Sequence, residues 1–594
     1  MQELEYPFQA QLLIRKRKML KKQLLEKGSF IEKKIAVLGG STTHDIIDIL
    51  ELFLLNQGIR ASFYESEYAQ YWNDVMFDNP ELRRFQPDVI FIHTSNRNIF
   101  CWPEASDSKD QVYKKEENLF EHFSQMWKRL ESVYHCPIIQ NNFEYPFFRI
   151  QGNRDAYDYR GRVHFVTKMN LLFADYASEH DGFYINDINY LSADFGLEKW
   201  ADPSFWYMYK YALSFDAIPS LAFNVSNIIK SIYGKNKKAL ALDLDNTLWG
   251  GIVGDDGPEN LEIGQETALG QAYSEFQYYL KELNQYGVLL SIISKNQPEN
   301  ADAGLSLPQM VLKKDDFVSI KANWEPKSVN LSHLAQEISL LPESFVFVDD
   351  NPAEREIVRQ QYPSSGIPVL KKVEEYISAI DKSGFFEVTT LSGDDLKRTE
   401  MYSQNLRREQ HKELFADYSE YLKSLDMIAE IHPFDKAVLS RVTQLTNKSN
   451  QFNLTTKRYS QEEMEAISLD NRYITIYGSL KDCFGDNGIV AVTIGEIKGE
   501  EVDIILWLMS CRVLKRDMEK AMMDMLAHEA VKRKLTKING FYYPTAKNGM
   551  VRSFYGELGY IKEWEDANGN AKWVLDISQG YQNRNTIISI NQEE

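Results

Sequence analysis

From Lys34 onward, short apolar runs alternate with stretches whose apolar residues fall three and four positions apart. KIAVLGG, ASFYES, DVIFIHTS and CPIIQNN read as strands, and HDIIDILELFLLNQG reads as a helix between them. Alternating strands and helices predict a parallel sheet. A second series starts at ALALDLDN, continues through a helix carrying Tyr273, Phe276, Leu280 and Leu283, then the strand VLLSIIS, another helix and FVFVDDN. It predicts a second α/β domain. Between about 373 and 425 the pattern turns helical and charged, and glycine and proline nearly vanish, so the segment reads as connecting helices. The last part predicts a hairpin, GIVAVTIGEI and VDIILWLMS turned at Lys498 and Gly499. A helix with Met518, Ala521, Met522, Met525 and Leu526 on one side follows, then further short strands. That is an α+β pattern. Ahead of all this, Phe8, Leu12, Leu13, Leu20, Leu24 and Leu25 mark a basic amphipathic helix closed by Gly28. The expectation is a multidomain α/β chain, two doubly wound α/β domains followed by an α+β domain. Its segments are 1–29 (helix), 30–235, 236–372, 373–425 (connecting helices) and 426–594.

Composition narrows the function classes. The 594 residues suffice for three or four domains of about 150 residues each. With 43% hydrophobic and 26% charged residues, most of the chain folds. A net charge of −19 repels phosphate backbones and anionic lipid, which argues against nucleic-acid and membrane partners. Cys101, Cys136, Cys483 and Cys511 are too few and scattered for a disulfide framework, as expected in a reducing cytoplasm. The N-terminus lacks the apolar core and cleavage site of a signal peptide, and no run approaches the roughly 20 apolar residues of a membrane helix. A soluble, cytoplasmic protein is expected.

The chemistry concentrates in KKALALDLDNTLWGG, where an apolar strand runs into Asp243, Asp245 and Thr247. Ligands of doubly wound sheets bind outside the carboxyl ends of the strands. Two more strands of this domain end in polar residues, at Ser294 and at Asp349 and Asp350. The loop NWEPKS adds Lys327, whose ammonium neutralises phosphate and keeps a neighbouring carboxylate ionised. Clustered carboxylates of this kind bind Mg2+, a hard cation that shares its oxygen ligands with substrate phosphate.

This order of elements resembles the HAD phosphatase superfamily, with its Asp-x-Asp-x-Thr, Ser/Thr, Lys and Asp-Asp elements. The resemblance implies that Asp243 is the nucleophile and Asp245 the proton donor and acceptor. Ser294 bonds phosphate, Lys327 balances charge, and Thr247, Asn246, Gly250, Gly251 and Asn296 line the substrate. Asp243, Asp349 and Asp350, with Asp245 through its main-chain carbonyl, hold Mg2+. The tract DLDNTLWGGIVGDDG is similar to the FkbH-like branch of that superfamily. Further family-like blocks, LSGDDLKRTEMYSQNLRRE, QLTNKSNQFNLTTKRY, LKDCFGDNGIV, LMSCRVLKRDME and YYPTAKN, extend the resemblance to roughly residues 30 to 575. It implies an SGNH-hydrolase-like domain over 30–235, a HAD-like Rossmannoid phosphatase domain over 236–372 and a GNAT-like acyltransferase domain over 426–594.

The family also implies that phosphate is removed from a small phosphorylated acid such as 1,3-bisphosphoglycerate. The glyceryl group then passes to the phosphopantetheine thiol of an acyl carrier protein. Cys511 is the candidate thiol, with Arg512, Lys515 and Arg516 lowering its pKa or attracting a phosphopantetheine or acyl-CoA arm. Asn548 and Tyr555 match a GNAT helix, where the tyrosine protonates a leaving thiolate; packing of Tyr555 on Phe554 and Leu558 is the other reading. Glycines are scarce around Arg512 and Asp517 would repel phosphate, which disfavours free coenzyme A. In the N-terminal domain Ser41 and Asn96 stand where SGNH hydrolases place theirs, but the Asp-x-x-His element is missing: Asp202 is followed by Phe205. That domain is expected to be a degenerate scaffold. Two other functions fit these residues. One is a sugar or metabolite phosphatase whose last domain acylates an amine or hydroxyl in polysaccharide or secondary-metabolite assembly; the other is a non-catalytic scaffold for a carrier.

Overall fold

The computed structural model describes residues 1–26, 30–448, 452–510, 513–545 and 548–591. Gly28, expected to close the first helix, lies outside them. The chain forms two compact units, Met1–Lys235 with Glu387–Thr389, and Asn236–Phe386 with Thr390–Glu594.

The first unit is built on five parallel strands, β1 (Ile31–Gly39), β2 (Ile59–Glu65), β3 (Val89–His93), β4 (Ile138–Asn141) and β5 (Phe183–Asn186), in the order β2-β1-β3-β4-β5. Successive side chains of a strand point to opposite faces. Ile35 and Val37 accordingly meet α1 (Ala10–Leu25), α2 (His44–Asn56) and a later helix at Ile218–Ile232. Ala36 and Leu38 meet α3 (Lys109–Tyr134) and α4 (Arg162–Glu179) through Phe123, Trp127, Phe165 and Phe173. Both faces are covered, which is why the strands read as unbroken apolar runs rather than alternating ones.

The second unit holds two sheets. The smaller has four parallel strands, β6 (Ala239–Leu242), β7 (Leu289–Ser294), β8 (Phe317–Ala322) and β9 (Phe345–Val348), ordered β8-β7-β6-β9. Leu240 and Leu242 pack on α5 (Ala268–Gln285) through Phe276 and Leu280. Ala239 and Ala241 pack on α6 (Lys327–Glu337) and α7 (Pro352–Gln361) through Leu331, Leu334 and Val358. The strand order puts the ends of β6, β7 and β9 side by side.

The larger sheet has eight strands, β10 (Ile428–His432), β11 (Tyr473–Asp482), β12 (Gly485–Lys498), β13 (Glu501–Met509), β14 (Lys537–Tyr542), β15 (Ile561–Glu565), β16 (Ala571–Asp576) and β17 (Ser589–Asn591). Their order is β15-β16-β14-β13-β12-β11-β10-β17, antiparallel except where β13 meets β14 and β10 meets β17. The expected hairpin of β12 and β13 is present, with Gly499 at φ +65° in its turn. Met518, Ala521, Met522 and Leu526 of α8 (Met518–Lys532) bury against one face. The charged connecting segment is helical, as expected, over Arg398–Lys412 and Tyr418–Ser424.

Candidate functional site

β6 delivers Asp243 to the carboxyl edge of the four-stranded sheet, where its amide donates to Val348 O at 2.9 Å and ties it to the end of β9. Asp349, the residue after β9, is fully buried. Between them lies Lys327, the first residue of α6, only 4% exposed; its ammonium donates to Asp243 Oδ2 at 2.8 Å and Asp349 Oδ2 at 2.6 Å. Asp243 Oδ1 is buried and has no hydrogen-bond partner among the described residues. Ligand oxygens of Asp243, Asp349 and Asp350 lie within 4.8 Å of one another. Three carboxylates able to converge on one point suit a hard divalent cation, so the residues present fit Mg2+.

Electrostatics agree with that geometry. Burial, then the charge of Asp243, raises the Asp349 carboxyl despite Lys327, to about 6. Burial and Asp243 likewise raise Asp350. Burial alone would lower the Lys327 ammonium, but Asp243 and Asp349 outweigh it and hold the pKa above the usual lysine range.

Asp245 faces elsewhere. Its Oδ1 accepts from Trp249 Nε1 at 2.9 Å and Val253 N at 3.0 Å, and its Oδ2 accepts from Asn296 Nδ2 at 2.7 Å. Burial raises its carboxyl, opposed by these three donors, while Asp243 adds to the rise. Its side chain is outside the carboxylate cluster, which leaves its main-chain carbonyl as the group available to a cation. The loop that holds it is braced internally. Asn246 sits at φ +54° and its Oδ1 accepts from the amide of Gly251, itself at φ +100°. Gly250 pairs with Glu262, and the hydroxyls of Tyr273 and Tyr376 reach Asn246 O at 3.4 and 3.1 Å. Thr247 is buried and its Oγ1 accepts from Asp350 N at 3.3 Å. Ser294 ends β7, 2% exposed. The structure thus brings Asp243, Lys327, Asp349 and Asp350 together and sets Asp245 beside Asn296. Trp249, Arg355 and Tyr376 complete the surroundings without having been singled out as site residues; Arg355 donates to the carbonyls of Asp349 and Asp350. Trp249 stands four residues after Asp245, a spacing that could have marked it.

The candidates near the end of the chain have other partners. Cys511 and Arg512 lie outside the described residues. Lys515 O accepts from Tyr418 Oη at 2.6 Å. Arg516 is buried and donates to Asp482 at 3.2 Å and Asn405 at 3.0 Å, while Arg408 grips the same Asp482 at 2.7 and 2.8 Å. Tyr555 is 1% exposed, its hydroxyl without a partner among the described residues, and burial pushes its pKa far up. Asn548 is fully buried.

In the first unit, Ser41 is buried and its hydroxyl is unpartnered among the described residues. Asp202, in the place of the expected acid, caps a helix by accepting from Ser204 N at 2.8 Å. A file of amides ends on His93: Asn224 donates to Asn186, Asn186 to Asn141, and Asn141 Nδ2 to His93 Nδ1 at 2.9 Å. Glu144 is fully buried with one oxygen accepting from Asn96 N at 3.2 Å, and burial lifts its carboxyl to about 7. Because the folded state holds this proton more tightly than the unfolded chain, stability from it is present below about pH 4.5 and lost as pH rises through about 7. Glu144→Gln is expected to gain up to about 3 kcal/mol on the wild type between pH 5 and 8, measured by denaturant unfolding at both pH values. An equal difference at both would show that Glu144 does not titrate there.

A doubly wound sheet carrying a carboxylate-lysine centre at its carboxyl edge defines a class, and comparison with known proteins narrows it. Residues 34–230 match the family model described as FkbH, N-terminal domain. Among solved structures, the N-terminal part of the protein BF1531 from Bacteroides fragilis, described as containing a phosphatase domain complexed with Mg, is 28% identical. The match covers 64% of this chain and 99% of that chain, with a TM-score of 0.59. The ribosomal-protein-S18-alanine N-acetyltransferase from Escherichia coli is 14% identical over 27% of this chain and all of its own, at a TM-score of 0.21, too slight a likeness to carry an argument. No curated protein matches the chain. This is a multidomain α/β protein, similar over residues 34–230 to the N-terminal domain of FkbH. No helix among the described residues is long and apolar enough to cross a membrane.

Proposed function

We propose that this chain is a Mg2+-dependent phosphatase of the HAD type, its active centre built on Asp243, Asp245, Lys327, Asp349 and Asp350. The observation that carries the reading is the buried Asp243 carboxylate, one oxygen held by Lys327 and the other unpartnered beside Asp349. That oxygen is the group to attack phosphorus: a bond forms from Asp243 Oδ1 to phosphorus as the bond from phosphorus to the leaving oxygen breaks. Asp245, whose raised pKa favours the acid form, gives its proton to the leaving oxygen. It then takes a proton from water, which attacks the aspartyl-phosphate, releases phosphate and restores Asp243. Trp249, Asn296 and the Val253 amide hold Asp245 in place through both steps. Lys327 sets its positive charge between the carboxylates of Asp243 and Asp349 through its two ion pairs. Asp243, Asp349 and Asp350, with the carbonyl of Asp245, would hold Mg2+, which would supply charge to offset that of the phosphate. The neighbouring B. fragilis phosphatase domain, complexed with Mg, supports the choice of cation.

The finer reading rests on the sequence resemblance. The substrate is a small phosphorylated acid of the 1,3-bisphosphoglycerate kind. The last domain, 426–594, carries the acyl group through Cys511 to a carrier-protein thiol, the segment 236–372 being the phosphatase and 30–235 a scaffold. The test is phosphate release by the full chain across a panel of phosphomonoesters and acyl phosphates, with Mg2+ and with EDTA. Release that EDTA abolishes is expected, and none from any substrate would sink the phosphatase reading. Intact mass after incubation with 1,3-bisphosphoglycerate tests transfer separately: a glyceryl adduct lost in Cys511→Ala is expected, and an unmodified chain that still releases phosphate would confine the activity to the first step.

A further inference from the structure

In the eight-stranded sheet, β13 and β14 run side by side only where Glu501–Ile504 face Lys537–Gly540. β13 continues to Met509 and β14 to Tyr542, so past Ile504 and Gly540 the two strands part. Tyr555 lies under the parting: a Cβ on Gly540 would meet its ring at 2.4 Å. Two strand edges facing one gap make a slot for an extended chain, because each edge presents main-chain donors and acceptors that need partners.

The slot is filled by this chain itself. Asn453 bridges Leu508 in antiparallel fashion, with Leu454 N donating to Trp507 O and Met509 N donating to Phe452 O, both at 3.1 Å. On the other side Tyr543 N donates to Leu454 O at 2.9 Å. Thr455 Oγ1 adds a bond to Ile505 O at 2.8 Å. All of Phe452, Asn453, Leu454 and Thr455 are buried, and Phe452 meets Phe554 edge-on at 5.0 Å. Asn548 acts as a latch: its Nδ2 donates to Asn453 O at 3.0 Å and Tyr543 O at 2.9 Å, and its Oδ1 accepts from Thr545 N at 2.7 Å.

We infer that residues 452–455 are a resident strap that closes this slot, so that an acyl-pantetheine arm enters between β13 and β14 only by displacing them. The arm is thin, extended and carries two amides, so along these edges it needs the groups the strap already uses, the carbonyl of Trp507 and the amides of Met509 and Tyr543. The inference rests on the acyl-transfer part of the proposed function and leaves phosphate release untouched, so the two fail separately.

The test is hydrogen exchange on the full chain, read in peptides covering 452–455 and 505–509, with and without coenzyme A as the pantetheine probe, alongside thermal melting. In the wild type the Leu454 and Met509 amides are expected to exchange at least about a hundredfold more slowly than unprotected amides, with no shift in melting temperature on adding coenzyme A. Leu454→Gly is expected to speed strap exchange about tenfold while peptides covering α8 of the same domain exchange as in the wild type, which shows that the domain folds. Coenzyme A binding accompanied by loss of strap protection supports the same competition, won by the ligand. Binding with the strap still protected, or a wild-type strap exchanging at the unprotected rate, overturns the inference.

Discussion

Asp243→Asn is expected to lower Mg2+-dependent phosphate release by at least about a thousandfold while the protein melts within a few degrees of the wild type. Asparagine matches aspartate in volume and the main-chain bond from residue 243 to Val348 O is unaffected, so the end of β6 stays in place. Lys327 keeps Asp349 as its partner at 2.6 Å, so its charge is not stranded. Removing the Asp243 charge also relieves the repulsion that raises Asp349 and Asp350. What disappears is the carboxylate oxygen that forms the bond to phosphorus, which an amide oxygen does not replace. Single-turnover phosphate release paired with a thermal melt checks both halves. A variant that is stable yet retains activity within about tenfold of the wild type would move the nucleophile to another residue.

The residues of that centre were legible because each stands at a joint the hydrophobic pattern marks. Asp243 follows β6, Ser294 ends β7, Asp349 and Asp350 follow β9, and Lys327 opens α6. Trp249 was not, because an apolar ring in LDNTLW reads as core. It is indeed fully buried, and only its indole N–H, 2.9 Å from Asp245, shows its second role. Two strands of the parallel sheets escaped the pattern. β5 is four residues long and half covered, and β8 is an edge strand whose last three residues are part-exposed, so neither forms a long apolar run. Arg516 illustrates a different limit. Its charge beside Cys511 reads locally as a phosphate ligand, but its partner Asp482 lies 34 positions upstream on β11, and no local pattern announces such a pairing. The strap at 452–455 is hidden for the same reason: FNLT is short and mixed, and its single bridge, Asn453 to Leu508, forms only because β13 and β14 part and leave their edges open to it.

Lys327→Met is expected to cost about 3–5 kcal/mol of stability at pH 8 in EDTA. Methionine keeps most of the length and apolar stem, so the loss isolates the ammonium. Without it Asp243 and Asp349 face each other as buried like charges, which the fold relieves by protonating one of them. Asp349 is the one to take the proton, since burial and Asp243 already raise it even with Lys327 in place. A carboxyl whose folded pKa is raised contributes stability that is present below its unfolded pKa and lost as pH rises through the folded one. The deficit should therefore be smaller at pH 5 than at pH 8. Mg2+ should recover part of it at pH 8, because a divalent cation between Asp243, Asp349 and Asp350 replaces the missing charge. Denaturant unfolding at both pH values, with and without Mg2+, reads all three effects. If stability at pH 8 in EDTA is unchanged, the carboxylates are not held ionised by Lys327; if Mg2+ restores nothing, they are not a cation site, and the reading of this edge as a phosphatase centre goes with them.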